Sequence, residues 1–407
     1  MQNISNYIKK QIHSNGPITF NEYMDTVLYD KKFGYYTTNK QKKINVFHDY
    51  FTSPQVHPSF SLLISVLLQN INFLLNKKNI RILEEGAGEG ILARDISKYV
   101  NYIYKNNSDI FSYDATDKIS SDNYWKIENI NKKITKKYDI YLSNELIDSF
   151  PVHRFRIRSN KIKEIFVGIK NNQLIELEFP SLNDEINKRI SPLINTLPEG
   201  YTGEVCDEYN SWAKRISVLV PSGVLISIDY GYEKSEFYDP SRKNGLLRCY
   251  DQNTINQNPF IKPGKQDITT HVDFTSVNEE LNKLGIKKIF DISQYELLKK
   301  LGIENLIDDL ENQYINNKIN KKVYQQNLNA IYILTNPNGL GKFRVILHST
   351  KDLSDKLNKS KDKIFKKNND IQCPIITTNN EYINFLSISK KDTNIIENKT
   401  WKEIFDL

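Results

Sequence analysis

The residues of this 407-residue chain best suited to chemistry are carboxylates and amides standing at the ends of short apolar runs. The densest group lies in Asn79–Tyr99, NIRILEEGAGEGILARDISKY. An acidic pair, Glu84–Glu85, follows Ile80–Leu83 and precedes glycines at alternate positions, Gly86, Gly88 and Gly90. Glycines without Cβ let a backbone turn approach a ligand closely, and a carboxylate beside them attracts a cationic group. A second group is Ser143–Asn144–Glu145, closing the run Tyr138–Leu142, with Asp148 three residues on. A third is KPGKQDITTHVDF, which crowds Asp267, Thr269, His271 and Asp273 together.

Each group has a structural alternative. The glycine turn serves a cofactor or simply reverses the chain. Ser143 or Asn144 caps a helix whose dipole Glu145 favours, or these residues do chemistry, or both. The third group suits a polar site; without a second His/Cys cluster a metal is not expected there. Asp114, after Ile110–Tyr113, stands 24 residues beyond Gly90. That is close to the roughly 20 at which a second-strand acid meets ribose hydroxyls, and an ordinary turn Asp fits equally.

The elements that must position these groups read as an alternating α/β chain. Ile80–Leu83, the glycines and the periodic Ile91, Leu92, Ile96 and Tyr99 give strand, turn and helix N-terminus. A dinucleotide fingerprint has its third glycine three positions after the second; here the gap is two. An apolar helix is expected from Ser59 to about Leu75, leading into the glycine strand. Residues 153–179 alternate, with turns at Ser159–Asn160 and Asn171–Asn172, and predict a β-meander insertion. Val224–Ile228 is a further core strand ending in Asp229–Tyr230. Tyr332–Leu334 and Phe343–Leu347 are expected as a last strand pair. Beyond Thr350 the Lys/Asn-rich sequence predicts a weakly packed, partly disordered extension.

Composition narrows the class. Hydrophobic residues make up 39% and charged residues 26%, as in soluble globular proteins. No window approaches the roughly 20 apolar residues of a membrane helix, so no membrane insertion is expected. The net charge of +7 is spread along the chain, with no Arg-rich, aromatic-interleaved stretch, so no nucleic-acid partner is expected. Three scattered cysteines read as reduced, buried thiols. The first residues show neither signal-peptide nor presequence character, which favours a bacterial cytoplasm over a mitochondrial matrix.

The pattern E-x-G-x-G-x-G resembles motif I of class I methyltransferases. In order, GPITFNEYM, GYY, DYFTSPQV, EEGAGEGILARD, SNELIDSFPVHRF, IDYGY, KPGKQDITTHVDF and GKFRVILHS resemble the motifs of the MidA-like S-adenosylmethionine (SAM)-dependent methyltransferases. The likeness covers about residues 7–350. It implies a class I, Rossmann-like doubly wound sheet with N-terminal helical elements (1–78), a methyltransferase domain (79–350) carrying the β insertion, and a C-terminal extension (351–407). It also implies SAM as methyl donor, lined by Glu84, Gly86, Gly88 and Gly90, with Asp114 on the ribose hydroxyls and the Thr52–Ser53–Pro54 loop completing the pocket. Asn144 and Glu145 would face the methyl group, with Asp148 and Asp273 as secondary candidates. The implied activity is protein arginine methylation on a core subunit of NADH:ubiquinone oxidoreductase (complex I) during assembly. A non-catalytic assembly chaperone with this fold, or a small-molecule methyltransferase, are the rival readings. The chain departs from the family pattern at Glu85, Glu89, His48 and Gln55.

Overall fold

The computed structural model describes residues 3–38, 52–103, 111–118, 126–129, 136–251, 254–377 and 382. His48, Phe51 and Ile110, which entered the reading above, lie outside them, as does much of the extension beyond residue 377. The chain divides into two units. The first comprises Phe51–Asn144, Leu219–Ile228 and Lys287–Leu407, and the second comprises Met1–Tyr50, Glu145–Val218 and Asp229–Ile286.

The first unit is built on seven strands: β1 Ile80–Glu85, β2 Phe111–Asp117, β3 Ile127–Asn129, β4 Ile140–Asn144, β5 Val224–Asp229, β6 Lys287–Ser293 and β7 Arg344–Ser349. Their order is β6-β7-β5-β4-β1-β2-β3. The pairs β5–β4, β4–β1, β1–β2 and β2–β3 are parallel, whereas β6–β7 is antiparallel. The inner strands β4 and β5 are buried at every position, as expected where helices cover both faces. This is the expected doubly wound α/β sheet. Its helices include α1 Ser53–Val56, α2 Ser59–Leu75, α3 Ile91–Ile103, α4 Gln294–Leu301, α5 Ile303–Ile315, α6 Lys321–Thr335 and α7 Lys351–Lys359. Helix α2 is apolar nearly all round and correspondingly buried on almost every side. Among the described residues no helix is long and apolar enough to cross a membrane.

Two expectations are corrected here. Tyr332–Leu334 belongs to helix α6, because Leu328, Ile331 and Leu334 supply a helical period; the partner of β7 is β6. The region after Thr350 is not weakly packed as far as it is described: α7 follows β7 directly, and Ile371, Cys373 and Ile376 are buried. The Asn327 carboxamide holds this segment on both sides of Ile376, accepting its N–H at 2.7 Å and donating to its carbonyl at 2.9 Å. A few well-spaced apolar residues seat the segment despite its polar average.

The second unit carries the expected meander as 153–158, 161–170 and 173–180, extended by 18–19 and 202–205 into a five-stranded antiparallel sheet. Alternation along 153–158 turns Phe155 and Ile157 into a core with Ile186, Ile190, Tyr201 and Phe237. The opposite face presents Arg154, Arg156 and Arg158 to Glu176 and Glu178. Three short strands, 254–256, 248–251 and 267–269, form a separate sheet, and 231–232 pairs with 272–273.

Candidate functional site

In the first unit the turn after β1 puts three glycines in the left-handed region, with φ of +75° at Gly86, +55° at Gly88 and +84° at Gly90. Residues with a Cβ rarely adopt this backbone, which explains the alternate spacing. The turn is braced from β2: Gly86 and Ala87 donate to the Thr116 carbonyl at 2.9 and 3.2 Å, and Gly88 N–H donates to Asp117 Oδ2 at 2.9 Å. Beyond it, Arg94 N–H closes the first turn of α3 on the Gly90 carbonyl. A Cβ added at Gly88 would meet no atom within 4 Å, so the backbone there is approachable.

Glu84 lies at the end of β1, 2% exposed, accepting the Tyr113 hydroxyl at 2.9 Å. Burial, with a smaller push from Asp117, raises its pKa to about 7 against the Tyr113 bond. Glu85, one of the departures from the family pattern, is also buried and accepts the Tyr141 hydroxyl at 2.9 Å.

The strand end expected at Asp114 is corrected. Strand β2 does not end there but runs on to Asp117, and Asp114 pairs in mid-strand with Leu83. Its carboxylate is engaged by Lys136 Nζ at 2.8 Å and the Tyr138 hydroxyl at 2.9 Å. The acid at the strand's carboxyl end is Asp117. Thr116, a β-branched residue, was the available signal that the strand continues.

Thr52–Ser53–Pro54 begins helix α1, which lies against α3. Ser53 Oγ donates to Gln294 Oε1 at 2.9 Å, and Thr52 N–H donates to Gln55 Oε1 at 3.2 Å. Gln55, another departure from the family pattern, is therefore a helix-capping group. Asn144 closes β4, 8% exposed, opposite Ile228 of β5.

In the second unit Glu145 has φ of +53°, a left-handed conformation uncommon for a residue with a long side chain. The turn that follows it, Ile147–Ser149, is clamped by Asp229, whose Oδ2 accepts the N–H groups of Ile147 at 2.9 Å and Asp148 at 3.3 Å. Asp148 accepts the Tyr230 hydroxyl at 2.5 Å, and that hydroxyl stands 2.8 Å from Thr269 Oγ1. Asp267, fully buried, accepts the Tyr36 hydroxyl at 2.8 Å. Tyr29 stacks on Tyr36 and donates to the Ser149 carbonyl at 2.8 Å. Burial above all, then the charge of Asp229, holds Asp148 well above the ordinary carboxylate range. Burial, with Glu145 adding to it, raises Asp229 to about 7. Asp229, Tyr230 and Tyr36 were missed as site residues by local pattern, since their roles arise only when distant segments meet.

Asp273, expected as a secondary catalytic candidate, has a structural task. It caps the helix Phe274–Lys283, accepting Ser276 N–H at 3.1 Å and Ser276 Oγ–H at 2.5 Å, and lies 3.8 Å from Arg189. Asp273→Ala is therefore expected to cost roughly 1–2 kcal/mol of stability, read by denaturant unfolding, while leaving ligand affinity unchanged.

A profile of the family described as "Putative S-adenosyl-L-methionine-dependent methyltransferase" matches residues 62–290. The chain is 24% identical over 383 residues to the human protein arginine methyltransferase NDUFAF7, mitochondrial, covering 83% of this chain and 80% of that one. The Drosophila melanogaster homolog of that methyltransferase is 22% identical over 318 residues, covering 67% and 69%. Among solved structures, a COG1565 superfamily member from Burkholderia thailandensis bound to S-adenosyl-homocysteine superposes with a TM-score of 0.74 at 23% identity. The match covers 86% of this chain and 92% of that one, and it shows the shared fold.

Proposed function

This chain belongs to a family of S-adenosyl-L-methionine-dependent methyltransferases, and from that premise we propose that it methylates an arginine side chain of a protein, with a subunit of complex I as the acceptor. SAM is its cofactor, and the glycine turn fits that group: the backbone at Gly88 is approachable, and Glu84 is a buried carboxyl that a cationic ligand would ionise. When bound, SAM supplies a methyl group activated on a sulfonium. Glu84 and the amides of Gly86–Gly90 would hold its methionine and ribose end, Asp117 would take the ribose hydroxyls, and Thr52–Pro54 would border it.

The observation that carries the arginine reading is the carboxylate of Glu145, placed by a left-handed backbone immediately after the last residue of β4. A guanidinium is protonated at neutral pH and a poor nucleophile. A carboxylate gripping it in bidentate fashion orients one nitrogen and offsets its charge. Asp148 is the second candidate for that contact. The names of the relatives support arginine as acceptor.

The test is methyl-labelled SAM incubated with the purified protein and an extract of cells lacking its gene, followed by identification of the labelled residue. Label on an arginine of one complex I subunit is the expected result. Label confined to a small molecule would replace this reading with a small-molecule methyltransferase. No label, with SAM binding intact, would favour a non-catalytic assembly factor.

Glu84 gives a separate pH prediction. Its folded pKa of about 7 lies above the ordinary 4.5, so the stability tied to its neutral form is present below pH 4.5 and is lost as pH rises through 7. SAM binding favours the ionised form, so affinity is expected to rise with pH up to 7, by at most about tenfold per unit. Glu84→Gln should flatten both profiles, read by thermal melting without ligand and by calorimetric titration.

A further inference from the structure

Among the contacts that the described part of the C-terminal region makes with the rest of its unit, two bear on elements that shape the cradle. Tyr382 packs on the first turn of helix α3. Its hydroxyl donates to Asp95 Oδ2 at 2.7 Å and accepts from Arg94 Nη2 at 2.9 Å, and the Arg94 guanidinium lies 5.5 Å from its ring centroid. Asp95 is only 2% exposed, and its other oxygen accepts Arg94 Nε at 2.9 Å. The same turn of helix closes on the Gly90 carbonyl through Arg94 N–H. A tilt of that turn therefore moves the last glycine of the cradle.

The second contact runs through Asn327. Its Oδ1 accepts Ile376 N–H and stands 3.0 Å from His57 Nε2, while its Nδ2 donates to the Ile376 and Val323 carbonyls. His57 is buried; burial lowers its pKa to about 4, so it is neutral. Its Nδ1 accepts Ser59 N–H at 3.1 Å, which leaves Nε2 as the donor to Asn327. His57 also terminates α1, the helix that Thr52–Ser53–Pro54 begins. The tail thus reaches α3 through Tyr382 and α1 through Asn327 and His57, and α1 and α3 lie against each other.

We propose that residues 371–377 and Tyr382 form an intramolecular clamp that holds the SAM cradle in its binding shape, with Tyr382 and Asn327 as positioning residues. The clamp rests on the cofactor reading of the glycine turn. It assigns a task to sequence that lies beyond the residues resembling the family.

Calorimetric titration of the full chain with S-adenosyl-homocysteine tests it, using Tyr382→Phe, Asp95→Asn and the double variant, with unliganded melting recorded on the same samples. Tyr382→Phe keeps the ring and removes only the hydroxyl bonds. It is expected to raise Kd roughly three- to tenfold. Asp95→Asn should do the same, and the double variant should be no weaker than the weaker single, because both break one contact. In the label-transfer assay, KM for SAM should rise with kcat unchanged. An unchanged Kd in Tyr382→Phe, with or without a lower melting temperature, would reduce the contact to ordinary packing and overturn the proposal, as would two single effects that add independently. Failure of the unsubstituted protein to bind S-adenosyl-homocysteine would instead sink the cofactor site itself, and the clamp with it.

Discussion

Glu145→Gln is expected to lower kcat for methyl transfer by roughly two to three orders of magnitude while leaving the affinity for S-adenosyl-homocysteine within twofold. The substitution is nearly isosteric and preserves the side chain's reach; what it removes is the negative charge. That charge has two tasks in the proposed reaction. It fixes one guanidinium nitrogen in line with the methyl group, and it offsets a cation that must meet a second cation. Loss of one preorganised electrostatic contact at a reacting centre typically costs 10²- to 10³-fold in rate. Because Glu145 is not among the groups expected to hold the cofactor, binding should not follow the rate. Activity within twofold of the parent would show that the acceptor is not held by Glu145. Asp148→Asn would then be the variant to make.

Asp117→Ala is expected to weaken S-adenosyl-homocysteine binding by about a hundredfold or more, read by calorimetry. Its Oδ2 braces the cradle by accepting Gly88 N–H at 2.9 Å, and the same carboxylate is proposed to accept the ribose hydroxyls. Hydrogen bonds to charged groups contribute roughly 1.5–3 kcal/mol each, so losing a brace and a ligand contact together reaches that range. Asp114→Ala is the control. Its carboxylate is engaged by Lys136 and Tyr138 in mid-strand, and the affinity should stay where it is. A reversal, with Asp114 essential and Asp117 dispensable, would restore the sequence-based assignment.

That contrast shows what the amino-acid sequence reveals and what it conceals. The cradle was legible because its information is local: an apolar run, three glycines forced by backbone conformation, then helical periodicity. The meander was legible for the same reason, alternation being a property of adjacent residues. The strand end was misread at Asp114 because it is decided by ladder partners: Glu84 and Glu85 carry β2 to Thr116, and Asn129 of β3 carries it to Asp117. Asp273 offered the right residue type in a crowded polar stretch, yet the helix beginning at Phe274 claims it as a cap. The Tyr36–Asp267 and Tyr230–Asp148 contacts join residues 231 and 82 positions apart, and no local window contains them. The tail misled through its average polarity, since burial there depends on a few spaced side chains, Leu357, Ile364, Ile371, Cys373 and Ile376, and on one asparagine.

The parallel pairing of β4 with β5 has a consequence for how the chain acquires its structure. Ile140 and Val224 are neighbours in the sheet but 84 residues apart in sequence, the intervening stretch containing much of the second unit. Pairings of such long separation form late and slowly, because the entropy of closing the loop must be met before any contact compensates it. On the ribosome, the cradle strands β1, β2 and β4 therefore emerge well before the strand that covers the inner edge of β4. Until Val224–Asp229 is synthesised, that edge offers unpaired backbone groups to any other strand, the usual route to aggregation. The protein is accordingly expected to depend on chaperones while it is being made, and fragments ending between Asn144 and Val224 should be insoluble even though they contain the whole glycine turn.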